Sequence, residues 1–97
     1  MSGDLRRPRL AGHARRRADP VAGTPLLLYP EGAIELDETA AAIVDRCDGT
    51  ATVAGIAEQL ALLYDGDPAE IAGDVAACLD GLASRGLVVF AGPEATP

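Results

Sequence analysis

Few side chains in this chain of 97 residues could do covalent or metal chemistry: one histidine, His13, and two cysteines, Cys47 and Cys78. A histidine moves protons near neutral pH, and a thiolate attacks carbon or binds zinc, but each needs a partner at short range. Here the three fall in separate predicted elements. His13 sits in a weakly patterned, arginine-rich segment. Cys47 and Cys78 fall on the apolar stripes of predicted helices, where a free cysteine behaves as a small hydrophobe. Zinc sites show closely paired ligand spacings, and none occurs here. No carboxylate pairs with a recognisable nucleophile. The expectation is a chain that is not an enzyme, with no catalytic residue, no metal ligand and no cofactor. Its function is to be sought in a binding surface.

The elements that would build such a surface must fit in one small domain. Apolar residues make up 48% of the chain and aromatics only 3%, so the core has to be built from aliphatic and small side chains. The net charge of −7 hides a split. Residues 1–17 carry six Arg and one Asp, a net +5, whereas residues 18–97 carry two Arg and fourteen acids, a net −12. The arginine-rich start reads either as a solvated tail or as an anion-binding arm. No apolar run follows the basic start as a secretion signal requires, and none is long enough to span a bilayer. A cytoplasmic protein with reduced thiols is expected.

Residues 1–12 read as a flexible arginine-rich tail, broken by Pro8 and Gly12, residues 13–90 as the folded domain and 91–97 as a flexible end. A first strand is expected over His13–Ala18 and a second over Thr24–Tyr29. Tyr29-Pro30-Glu31-Gly32 fits a type I turn, with proline presetting φ at its second position. Ala33–Leu36 alternates, placing Ile34 and Leu36 on one face, and completes an antiparallel hairpin. Asp37 is placed to cap a helix whose stripe is Ala40, Ile43, Val44 and Cys47, ended by Asp48-Gly49. Thr52 caps a second helix with the stripe Val53, Ile56, Ala57, Leu60 and Tyr64, stopped by Asp65-Gly66. Asp67-Pro68-Ala69-Glu70 is a capping box with proline at the first helical position. It opens a third helix whose stripe is Ile71, Val75, Cys78, Leu79 and Leu82. Leu87–Phe90 is a final short strand. The fold class expected is α+β and winged-helix-like, a small three-stranded antiparallel sheet followed by a three-helix bundle.

The chain resembles the PqqD family, the small peptide chaperones of pyrroloquinoline quinone (PQQ) biosynthesis. The resemblance covers roughly Pro8 to Phe90. It rests on Leu27-Leu28-Tyr29-Pro30-Glu31-Gly32, Leu36, Ala41, Ile43-Val44 and Cys47-Asp48-Gly49-Thr50, and continues through Thr52-Val53, Ile56, Leu60, Tyr64, Ile71, Asp74-Val75, Leu79, Leu82 and Gly86. Asp37 stands where the family often has Asn, and Gly55 where Glu is common. Thr24-Pro25 replaces a frequent aromatic residue.

The resemblance implies a non-catalytic recognition element of ribosomally made, modified peptides (a RiPP recognition element). Such an element binds the precursor peptide PqqA and presents it to the radical SAM enzyme PqqE. In related recognition elements the leader peptide adds as a strand to the third strand and lies against the third helix. The residues expected to bind peptide are therefore Ala33, Ile34, Glu35 and Leu36 on the strand, with Ile71, Asp74, Val75 and Leu79 on the helix. The same residues also read as plain core or surface positions, since groove and core faces of one helix overlap in sequence. Recognition of a different modified peptide is an alternative. A nucleic-acid-binding winged helix is a weaker one, because the third helix carries Asp67, Glu70, Asp74 and Asp80 against Arg85 alone and would repel phosphates. A dimerisation module is a further alternative.

Overall fold

The computed structural model describes residues 4–91. The element order is β1 (Arg7–Leu10), β2 (Arg15–Ala18), β3 (Pro25–Tyr29), β4 (Gly32–Glu35), α1 (Glu38–Val44), α2 (Val53–Tyr64), α3 (Pro68–Ser84) and β5 (Val88–Ala91). Strands β2, β3 and β4 form an antiparallel sheet in that order. The expected three-stranded sheet and three helices are thus present.

Each helix starts where a short polar side chain meets its first turn. The Asp37 carboxylate accepts from the Ala40 N–H, the Thr52 hydroxyl from the Gly55 N–H, and the Asp67 carboxylate from the Ala69 N–H. These caps satisfy amides that have no partner inside the helix. Helix α2 ends on Asp65, which itself takes the left-handed conformation at φ 55°. The helix thus ends at the expected Asp65-Gly66, and an aspartate tolerates that conformation. Helix α1 stops at Val44, short of the expected Asp48-Gly49. Gly49 does adopt φ 85°, but it does so in the following loop, where its N–H donates to the Pro8 carbonyl.

The segment read as a flexible tail, 1–12, contains β1. Arg7–Leu10 pairs antiparallel with β5, so the two ends of the domain make a second, two-stranded sheet. Pro8 is fully buried there, opposite Phe90. The residues just before β1 also close the start of α2: the Val53 N–H donates to the Arg6 carbonyl and the Ala54 N–H to the Asp4 carbonyl, both at 2.9 Å. The Arg6 guanidinium lies 4.1 Å from the centre of the Phe90 ring and pairs with Asp4 and Asp80. Residues 1–3 and 92–97 lie outside the described residues, and with them most of the end expected over 91–97.

The core joins the sheet to the helix pair. Leu27, Ile43, Val53, Ile56, Leu60, Val75, Leu79 and Leu87 are all essentially inaccessible. Burying side chains of this size stabilises the fold by roughly 1.5–3 kcal/mol each before conformational entropy is counted. Tyr64, expected on the buried stripe of α2, is exposed at the end of the helix. No described helix is long and apolar enough to cross a membrane.

Candidate peptide-binding site

Among the described residues strand β4 pairs with β3 alone, and its other side is open. Which of its backbone groups are free follows from the register. The Leu36 N–H donates to the Pro25 carbonyl, and the partners continue as Glu35 with Leu26, Ile34 with Leu27 and Ala33 with Leu28. Bonded and non-bonded pairs alternate in an antiparallel ladder. Leu36, Ile34 and Gly32 therefore bond inward to β3, while the N–H and C=O groups of Ala33 and Glu35 face outward. The open edge of β4 offers two peptide units to an incoming strand.

Beyond β4 the chain runs through Leu36 directly into Asp37, and here the edge meets a cleft of about 330 Å³. The cleft is lined by Asp37, Thr39, Ala40 and Ile43 from the start of α1 and by Asp74 and Cys78 from α3. Ile43 is 1% exposed and forms an apolar floor. Asp74 and Cys78 are four residues apart and so lie on one flank of α3. The Cys78 thiol is half-buried and free; burial first, and the Asp37 carboxylate second, push its pKa up, so it stays protonated. No basic side chain lines the cleft. It is a neutral-to-acidic, partly apolar trough.

The eight residues expected at the site are distributed unevenly. Ala33 and Glu35 are exposed on the open edge, and Ile34 is half-buried with its side chain against the core. Leu36 lies just past the strand and is buried. Asp74 lines the cleft. Val75 and Leu79, expected as groove walls, are both 0% exposed and belong to the core. Each stands one residue from a cleft-lining residue, about 100° around the helix. Ile71 is half-buried near the start of α3, closely packed over Gly66, and does not line the cleft. Asp37, Thr39, Ala40, Ile43 and Cys78 also line the cleft and are not among the eight expected residues. In the sequence Asp37 reads only as a cap and Cys78 only as part of an apolar stripe. The spacing of Asp74 and Cys78 was the available signal.

The other margin of the sheet, β2, adjoins a hollow of about 260 Å³ lined by His13, Arg15, Leu28, Tyr29 and Pro30, to which no helix contributes. The same parity turns the peptide groups of Arg16 and Ala18 outward there. The Arg16 side chain instead reaches across to α1, with Nε 3.0 Å from Asp45 Oδ1.

The family model described as "Coenzyme PQQ synthesis protein D (PqqD)" matches residues 26–88. The chain belongs to the PqqD family. A PqqA binding protein of Rhodopseudomonas palustris (strain HaA2) is 42% identical over 91 residues, covering 94% of this chain and 88% of the relative. The solution structure of the PqqD truncation of Methylobacterium extorquens PqqCD superposes with a TM-score of 0.76 at 39% identity, over 92% of this chain and 94% of that one. That PqqD is described as a functional, stand-alone RiPP recognition element. Lasso peptide synthetase B1, solved with its leader peptide bound, matches with a TM-score of 0.73 at 26% identity, over 86% of this chain and 98% of that one. Members of the PqqD family are thus named as binding proteins and recognition elements, which are not catalysts.

Proposed function

We propose that this protein is a non-catalytic peptide chaperone of the cytoplasm. It binds the PqqA precursor peptide as a strand added to β4 and presents it to the radical SAM enzyme PqqE in PQQ biosynthesis. The observation that carries this reading is the run of the open β4 edge into the α1–α3 cleft. An unpaired strand edge is a template for another strand, and a flanking cleft supplies side-chain selectivity. Ala33 and Glu35 give the guest its direction and register, and the cleft takes a guest side chain against Ile43 and Cys78. Ala33, Ile34, Glu35 and Asp74 remain the proposed contacts from the sequence; Asp37 and Cys78 join them. Val75 and Leu79 act from behind, by holding α3 in place. The two free thiols suit a reducing compartment.

The fold shared with lasso peptide synthetase B1 favours a second reading, in which the same edge takes the leader of another modified peptide.

Calorimetric titration of a PqqA-type peptide against two variants at one position tests the strand addition. Glu35→Ala removes the side chain and keeps the outward N–H; affinity stays within about threefold. Glu35→Pro removes that N–H and orphans a carbonyl of the guest, a loss of about 1–3 kcal/mol, or at least severalfold in Kd. Proline is tolerated on an edge strand at a position facing away from its partner. Equal affinity of the two variants overturns addition to β4.

A further inference from the structure

The last turn of α2 breaks the amphipathic rule that the rest of the helix obeys. Leu60 and Ala61 are buried, but the next three residues, Leu62, Leu63 and Tyr64, are apolar and exposed, Leu62 to 87%. At about 100° per residue Leu62 points away from the fully buried Leu60, so no other element of the domain covers it. One exposed leucine is ordinary; one at the mouth of a hollow is a candidate contact. Leu62 borders a cavity of about 390 Å³ together with Glu58, Ala61, Asp65, Gly66 and Pro68. A hollow of about 230 Å³ between α2 and α3 continues it, sharing Glu58 and Pro68. Neither has a lining residue in common with the α1–α3 cleft.

Charge indicates what fits there. Between Arg46 and Arg85 the sequence has no basic residue and seven acids. Of these, Glu58 and Asp65 rim the cavity and Asp67 follows at the cap of α3. Among the described residues none of the three is in an ion pair. Such a rim repels nucleic-acid phosphates and anionic lipid headgroups and attracts lysine and arginine. An apolar centre with a charged rim is the anatomy of a protein–protein contact. The local backbone is fixed: the Gly66 N–H donates to the Ala61 carbonyl and the Asp67 carboxylate accepts from Ala69.

We infer that the α2–α3 turn is a second docking surface, which holds a basic, apolar-centred face of the enzyme that modifies the captured peptide. This rests on the function proposed above. Because the two surfaces share no lining residue, peptide and enzyme occupy the protein together.

The test uses the full chain, a fluorescently labelled PqqA-type peptide and a PqqE-type enzyme, with each binding event titrated separately at low and high salt. Leu62→Glu lowers enzyme affinity at least tenfold. Glu58→Lys lowers it severalfold, and that loss shrinks as salt rises. Peptide affinity stays within twofold in both variants, which are surface changes. Unchanged enzyme affinity in Leu62→Glu overturns the docking surface, as does a wild-type chain that binds peptide but no enzyme; both leave the peptide reading standing. A wild-type chain that binds no peptide sinks the peptide reading instead. Self-association abolished by Leu62→Glu, with enzyme affinity unmoved, assigns the surface to a second copy and overturns the inference.

Discussion

Two flanks of α3, one residue apart, have opposite environments. Val75 and Leu79 are fully buried in the core, while Asp74 is exposed and Cys78 half-buried on the wall of the cleft. A helix turns about 100° per residue, so neighbouring positions in sequence serve different neighbours in space. The first flank decides whether the domain folds. The second contributes less to the core and borders the open space of the cleft. Within each adjacent pair, altering one residue probes the core and altering the other probes the cleft.

The strongest way to break that comparison is Val75→Asp. The substitution places a carboxylate without a partner in a fully buried site, which is among the few mechanisms that cost a domain more than about 4 kcal/mol. For a domain of this size that is a large part of the total. Circular dichroism and urea titration should show a chain that is largely unfolded, or one that melts far below the wild type. A folded Val75→Asp chain that had merely lost its peptide would return Val75 to the cleft and erase the distinction between the flanks.

Local chemistry was legible in the sequence; assembly between distant segments was not. The Tyr29-Pro30-Glu31-Gly32 turn and the caps Asp37, Thr52 and Asp67 each act within three residues of themselves, and all stand where the residue types place them. Strand β1 was hidden because its reason lies elsewhere: Arg7–Leu10 alternates over only four residues, one of them a proline, and becomes a strand by pairing with Val88–Ala91. Pro8, which reads as a breaker, is instead a buried contact. The candidate site was half legible. Alternation located the edge at Ala33–Leu36, and periodicity located the apolar stripe of α3. The stripe alone does not say which flank of it borders open space. That depends on α1, whose seven residues sit far enough away to leave the cleft between Ala40 and Cys78.

The two thiols sharpen the comparison by titration. Cys47 is buried in the core just beyond α1, where its Sγ–H donates to the Ile43 carbonyl. Burial, more than its neighbours Cys78, Asp48 and Asp45, pushes its pKa from an ordinary value near 9 up to about 12. Below about pH 9 folded and unfolded chains both keep this thiol protonated, and its full contribution to stability is present. Above that the unfolded chain ionises first, so stability falls with rising pH until the folded thiol ionises too, near pH 12. Between pH 8 and pH 10.5 the wild type should lose roughly 2 kcal/mol that a Cys47→Ala variant keeps. Urea midpoints of the two proteins at both pH values check this; parallel losses in the two would mean that Cys47 is not a core thiol.

The smallest effect on stability belongs to Asp74→Asn, and it is the sharpest discriminator between the flanks. The side chain is exposed and, among the described residues, forms no ion pair. Its loss of charge should move stability by no more than about 0.5 kcal/mol. In the cleft the same change removes one of the two carboxyl side chains that line it among the described residues, Asp37 and Asp74. A guest that places a basic side chain there loses affinity, by about 0–1 kcal/mol for a solvent-exposed pair, and the loss should vanish at high salt. A guest that places an apolar side chain there gains instead, because one less carboxylate must be desolvated. The sign of the change in peptide Kd, read with stability held constant, therefore reports which kind of residue the cleft receives. No change at either ionic strength would mean that the guest stays on the edge of β4 and never reaches α3.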